Sequence, residues 1–228
     1  MTDRKSAVVL QHVAFEGPGA YALGLLESGF VVHSYLVPSE GLPAGDEDAL
    51  IVMGGPMSVH DPLPWIAAEI EYIRHAIGRR IPVLGVCLGS QLMACAMGGS
   101  VYRGDRSEIG LGEIETTDEG KIDHYFRVFP ETLNLIEWHG EGIHVPDSCT
   151  VLAQSDHYPV QAFRAGEKAY GLLFHLEMDE TALATLCQEC PQDVLTTGRN
   201  AIELIADARS CLPGLQGLAQ SFLKSLVG

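Results

Sequence analysis

Apolar positions along the first hundred residues fall into two alternating rhythms. Ala7 to Val13, Phe30 to Val37, Asp48 to Met53 and Pro82 to Val86 are short aliphatic or β-branched runs. A strand of a parallel sheet, covered on both faces, carries that kind of near-continuous run. Between them lie helical patterns. After Glu16-Gly17-Pro18-Gly19 as a turn, Tyr21 to Glu27 ends at Gly29, and Pro64 to Arg79 has apolar residues at helical spacing with Pro64 suited to a helix start. Gln91 to Met97 is a small-residue stretch closed by Gly98-Gly99. Strands alternating with helices predict an α/β fold, a mostly parallel central sheet with flanking helices. From Ser100 to Phe174 the runs shorten and turn residues intervene, which predicts a small antiparallel section, with Ala169 to Phe174 as the last clear strand. Thr181 to Cys190, Asn200 to Ala208 and the amphipathic tail Leu215 to Leu226 read as helices. With no internal repeat, low-complexity segment or Pro/Ser-rich linker, residues 1–228 are expected to form a single domain.

Charge narrows the partners. Lys and Arg number 14 against 30 Asp and Glu, a formal net charge of −16, and no basic cluster is present to follow a phosphate backbone. Neither nucleic acid nor an anionic membrane is an expected partner. The N-terminal apolar run is broken by Gln11 and His12 and leads to no small-residue cleavage site, and no segment has the length of a membrane span. The six cysteines are irregularly spaced in a chain without a secretory signal, so reduced thiols in a cytoplasm are expected.

The sharpest local signal is Gly85-Val86-Cys87-Leu88-Gly89, a G-x-C-x-G joining an apolar strand to a helix. It is the cysteine counterpart of a nucleophile elbow. The tight turn exposes the sulfur, and the helix N-terminus favours its anion. A cysteine nucleophile needs a base and an orienting group. Phe174-His175-Leu176-Glu177 supplies both after a strand, and residues at i and i+2 of extended backbone face the same side. Met53-Gly54-Gly55-Pro56-Met57-Ser58 ends the preceding parallel strand, at the edge where parallel sheets bind ligands. There the N–H groups of Gly55 and Leu88 can form an oxyanion hole. Taken singly, each motif has a plainer reading: a buried cysteine, a solvated His and Glu, an ordinary βα turn.

Together and in this order, these motifs resemble the class I (triad) glutamine amidotransferases, and within them the amidotransferase portion of GMP synthetase and its free-standing relatives. The resemblance includes Gly85 to Leu92, Glu108-Ile109-Gly110, Trp138-His139-Gly140-Glu141, Gln161 to Arg164 and Tyr170 to Glu177, and runs to about Asp179. It implies the flavodoxin-like fold of that family and cleavage of a glutamine side-chain amide through a thioester on Cys87, with His175 and Glu177 completing the triad. It further implies that Gln91 holds the amino-acid end of the substrate, that the backbone at Gly140 and Glu141 lines the same pocket, and that Gly55 and Leu88 hold the oxyanion. No cofactor and no metal is implied. The family usually has H-P-E, whereas Leu176 stands here in the proline's place, so a less stiff loop is expected.

The implied substrate is glutamine or another γ-glutamyl small molecule. The chain has no G-x-x-x-x-G-K-S/T loop and no ATP-pyrophosphatase segment, so a complete synthetase is not expected. Two enzymatic readings follow: a hydrolase of γ-glutamyl amides, or a glutaminase that passes ammonia to a separate synthase subunit. The third reading, a silent binding or regulatory module, is disfavoured by an intact triad. Intracellular-protease-type cysteine elbows usually place histidine directly after the cysteine, where this chain has Leu88. Cys187 and Cys190 have metal-like spacing without a second ligand pair, and read as helix-end cysteines. His60, His75, His124, His144 and His157 read as surface or capping residues, and Trp65 and Phe126 as packing residues.

Overall fold

The computed structural model describes residues 5–228, so of the basic N-terminal start only Lys5 is placed. The apolar runs of the first half form β1 (Ser6–Gln11), β2 (Val31–Leu36), β3 (Ala49–Val52) and β4 (Val83–Val86). The helices between and after them are α1 (Gly19–Glu27), the short α2 (Val37–Glu40), α3 (Ile66–Gly78) and α4 (Leu88–Ala96). The second half adds β5 (Ser100–Thr116), α5 (Asp118–Ile122), β6 (Thr132–His144), β7 (Cys149–Gln154), β8 (Ala162–Ala165) and β9 (Ala169–Leu172). It closes with α6 (Glu180–Glu189), α7 (Pro191–Thr196), α8 (Ala201–Ala208) and α9 (Leu212–Val227).

One sheet of nine strands runs β2-β1-β3-β4-β9-β8-β7-β5-β6. The five strands from β2 to β9 pair in parallel, and from β9 to β6 every pairing is antiparallel. This is the expected α/β architecture, with the antiparallel section built on one side of the parallel one. Side chains of a strand alternate between faces, and here each face has its own core. Ala7, Val9, Ile51 and Met53 pack with α1 and α9, while Val8, Leu10, Leu50 and Val52 pack with α3 and α4. Burial on both sides is why these strands carry apolar residues without alternation. Phe126 is fully buried, whereas Trp65 is half-buried and stacks on the His12 ring.

Several element ends differ from the expected ones for local reasons. β1 stops at Gln11, because the His12 ring turns inward to bond the Gly54 carbonyl. β2 stops at Leu36, because Pro38 sits in the first turn of α2. α3 is preceded by Trp65 as its cap, which leaves Pro64 outside the helix. α4 begins at Leu88, three residues before the expected Gln91 and directly after Cys87. Among the described residues no helix is long and apolar enough to cross a membrane.

Candidate active site

The C-terminal ends of β1, β3, β4 and β9 gather at one edge of the sheet, and the chain leaves the last three through motifs already singled out. After β4 comes Cys87, a non-glycine residue held at φ +50°, ψ −111° as the cap of α4. Positive φ strains a residue with a Cβ, and the surroundings fix it there. The Cys87 N–H donates to Leu172 O of β9 at 2.8 Å, and the Cys87 carbonyl accepts from Ser90 N and Gln91 N. Gly89 packs so closely on β3 that a Cβ there would lie 2.0 Å from the Val52 carbonyl oxygen. The elbow therefore requires glycine at that position.

After β9 the chain places His175 and Glu177. Both are buried, and His175 Nδ1 lies 2.7 Å from Glu177 Oε1. The Cys87 side chain lies beside the ring, close enough to favour its charged form, and the thiol itself is 3.6 Å from Trp138 O. Burial opposes the charged ring, yet Glu177 and the Cys87 sulfur outweigh it and hold the imidazole pKa well above the usual histidine value. Leu176 contributes something that proline cannot: its N–H donates to Glu177 Oε2 at 3.0 Å. That bond, and the one from His175 N to Ile136 O, tie down a loop expected to be slack.

Cys87 and His175 open into a cavity of about 540 Å³ also lined by Gly55, Gln91, Gly140 and Glu141. Gln91 Nε2 points at the Glu141 carbonyl oxygen across 3.5 Å, and the Glu141 carboxylate accepts from Ser58 Oγ. Among the described residues, neither the Gly55 N–H nor the Leu88 N–H has a protein acceptor. The fold thus brings Gly55, Cys87, Leu88, Gln91, Gly140, Glu141, His175 and Glu177 to one place.

Glu16 is also there, and nothing in the sequence reading pointed to it. It follows β1 in a stretch that reads only as a turn, but β1 ends at the same sheet edge as β4. A Cβ on Gly54 would lie 2.2 Å from Glu16 Oε2 and 3.4 Å from both Cys87 Cβ and His175 Cε1. Burial raises the Glu16 pKa above the usual carboxylate value, against the pull of His175. The carboxyl has no hydrogen-bond or ion-pair partner among the described residues. Asp193 of α7 and Cys190 line the same side of the cavity.

Metal-ligand geometry occurs elsewhere. Glu108, Glu137 and His139 bring one ligand atom each within 4.8 Å of one another. Gln161 Nε2 fills the middle, 2.6 Å from Glu108 Oε2, 3.2 Å from Glu137 Oε1 and 3.4 Å from His139 Nε2. An amide nitrogen therefore takes the place a cation would need, and burial together with Glu108 pushes the Glu137 pKa up to about 9. All six cysteines are unpaired; Cys187 lies in α6 and Cys190 at its end. His60, His75, His124, His144 and His157 are exposed, with His60 Nε2 bonded to Val101 O and the His144 ring stacked on Tyr102.

Comparison with known proteins agrees with this geometry. The sequence model of the family described as glutamine amidotransferase class-I matches residues 24–187. The chain belongs to that family. It is 32% identical over 208 residues to the glutamine amidotransferase-like protein YfeJ of Salmonella typhimurium, covering 87% of each chain. It is 33% identical over 147 residues to a glutamine-hydrolysing GMP synthase subunit from Pyrococcus abyssi, covering 63% of this chain and 73% of that one. Of the GMP synthase of Neisseria meningitidis, 30% identical over 152 residues and 66% of this chain, it spans 28%. A glutamine amidotransferase structure from Thermotoga maritima superimposes with a TM-score of 0.89 at 28% identity, covering 98% of both chains. This class I amidotransferase is thus related to the glutamine-hydrolysing part of GMP synthases.

Proposed function

We propose that the chain hydrolyses γ-glutamyl amides through a thioester on Cys87. The observation that carries this reading is the convergence, at one sheet edge, of a thiol, a His–Glu pair and two unbonded backbone N–H groups. Cys87 Sγ, its proton held by His175, attacks the side-chain carbonyl carbon, and the resulting oxyanion sits between the N–H groups of Gly55 and Leu88. His175 gives its proton to the leaving nitrogen as the C–N bond breaks, releasing ammonia or an amine. A water then attacks the thioester, His175 takes one of its protons, the C–S bond breaks and glutamate leaves. Glu177 fixes the ring tautomer and stabilises the imidazolium. Gln91, Gly140 and Glu141 receive the amino-acid end of the substrate. The whole of residues 1–228 is read as one amidotransferase domain, acting without a cofactor in a cytoplasm that keeps its thiols reduced.

A second reading, a glutaminase that delivers ammonia to a separate synthase subunit, is favoured by the likeness to the GMP synthase subunit from Pyrococcus abyssi. Steady-state rates of the purified chain on glutamine and on γ-glutamyl dipeptides separate the two. Faster turnover of dipeptides supports the hydrolase. Negligible rates on both, restored by a co-purifying ATP-dependent synthase, support the second reading. A glutamine-analogue electrophile is expected to label Cys87 and none of the other five cysteines, and labelling that persists in Cys87→Ala sinks both.

A further inference from the structure

We infer that His12 and Glu69 form a positioning dyad that pins the Gly54–Gly55 peptide with its N–H aimed into the active site, so that the chain holds its own oxyanion donor in place. The inference rests on the function proposed above. His12 lies just past β1 and is buried, and its ring is bracketed by two acceptors: Gly54 O is 2.9 Å from Nδ1, and Glu69 Oε1 is 3.0 Å from Nε2. Glu69, on α3, is fully buried, and Trp65 stacks on the ring with centroids 5.1 Å apart. A backbone carbonyl can only accept, so Nδ1 must carry a hydrogen. That holds for an imidazolium facing a carboxylate and for a neutral ring facing a protonated Glu69. In both cases the ring donates to Gly54 O.

The carbonyl of Gly54 and the N–H of Gly55 belong to one peptide unit, and no peptide among the described residues is cis. In a trans peptide the two groups point in opposite directions. Holding the oxygen on His12 therefore sends the Gly55 N–H away from it, and Gly55 lines the cavity beside Cys87. Two glycines in succession leave this peptide free to rotate on steric grounds, so its orientation needs a restraint from outside the loop. Turning it over would strip Gly54 O of its donor and leave a buried imidazole N–H unpaired. The causes that raise the His12 pKa agree, since Glu69 and the Gly54 carbonyl outweigh the opposing effect of burial.

The test compares variants that keep one end of the dyad. In His12→Asn the amide nitrogen can stand near the position of Nδ1 and reach Gly54 O. In His12→Gln the amide extends to the position of Nε2 and reaches Glu69 instead. His12→Leu keeps neither bond. With glutamine and a γ-glutamyl dipeptide as substrates, His12→Leu is expected to lose about a hundredfold in kcat, the loss typical of one oxyanion donor, with KM within about threefold of wild type. His12→Asn is expected to exceed His12→Gln in kcat by tenfold or more. Alkylation of Cys87 by iodoacetamide, which develops no oxyanion, should proceed at the wild-type rate in all three. Equal kcat in the Asn and Gln variants overturns the dyad, as does a loss expressed in KM alone. The Asn–Gln comparison stands even if His12→Leu fails to fold. A wild-type chain that turns over neither substrate overturns the proposed function and the dyad with it, whereas an active wild type with equal variants sinks only the dyad.

Discussion

Two buried histidine–glutamate pairs flank Gly54, and they differ in one neighbour. His175 and Glu177 sit two residues apart on the segment after β9, and the far side of the ring meets a thiol. His12 and Glu69 come from β1's end and from α3, and the far side of that ring meets a backbone carbonyl. In both, a carboxylate raises the imidazole pKa against the opposing effect of burial. A carbonyl oxygen cannot give up a proton, so the second ring can only hold something still. A thiol can give one up, which makes the first ring a candidate base. What such a pair does is set by the third group it faces.

Substitutions should rank accordingly. Cys87→Ala and His175→Ala are each expected to lower kcat by about ten-thousandfold or more, and the double variant to be little worse than either, because triad members act as a unit. Near-wild-type turnover by His175→Ala would move the base to another histidine and dissolve the contrast. Glu177→Gln should leave measurable activity, down on the order of a hundredfold, since the side chain orients the ring without transferring protons itself. Leu176→Pro sharpens the comparison within the first pair. It deletes the N–H that reaches Glu177 Oε2 and is expected to lower kcat by roughly tenfold through loss of one hydrogen bond to a charged group. An unchanged rate would show that His175 alone positions Glu177.

The smallest effect concerns stability and the third buried acid–histidine cluster. Glu137 binds its proton up to about pH 9 in the folded chain but only to about 4.5 when unfolded. The folded state therefore holds an extra proton between those values. Its stabilising contribution is complete below the lower one and is lost as pH rises through the upper one. Thermal unfolding followed from pH 6 to 10 should show a falling midpoint in wild type and a flatter profile in Glu137→Gln. Parallel profiles would mean that the proton resides elsewhere in the cluster.

Sequence pattern made the parallel half, its helices and the segments carrying Cys87, His175 and Glu177 legible, because each is a local matter: an apolar run, a glycine-flanked cysteine, a His and a Glu two residues apart. It could not show which edge groups meet across the chain. Glu16 looked like turn chemistry, yet the end of β1 lies beside the end of β3, and that adjacency places its carboxyl against Gly54. His12 read as an interruption of an apolar strand, and its partner lies 57 residues on. A polar residue just past a buried parallel strand was the available signal for His12, whereas Glu16 offered none. Leu176 had the opposite fate. Judged against proline it suggested looseness, but the N–H it retains supplies a restraint proline lacks.

Strand β9 is four residues long and stands between β4 and β8, bonded in parallel to one and antiparallel to the other. During synthesis this makes it a late keystone. Val83 pairs with Ala169, and the Cys87 N–H bonds to Leu172, so β4 is complete long before its neighbour leaves the ribosome. At roughly five to twenty residues per second, the Val83–Val86 edge stays open for several seconds. Its three aliphatic residues and one glycine then resemble an unguarded edge strand, a template for pairing with other chains. Nascent chains stalled before Ala169 should therefore engage holding chaperones and aggregate when these are depleted, while chains released at full length should not.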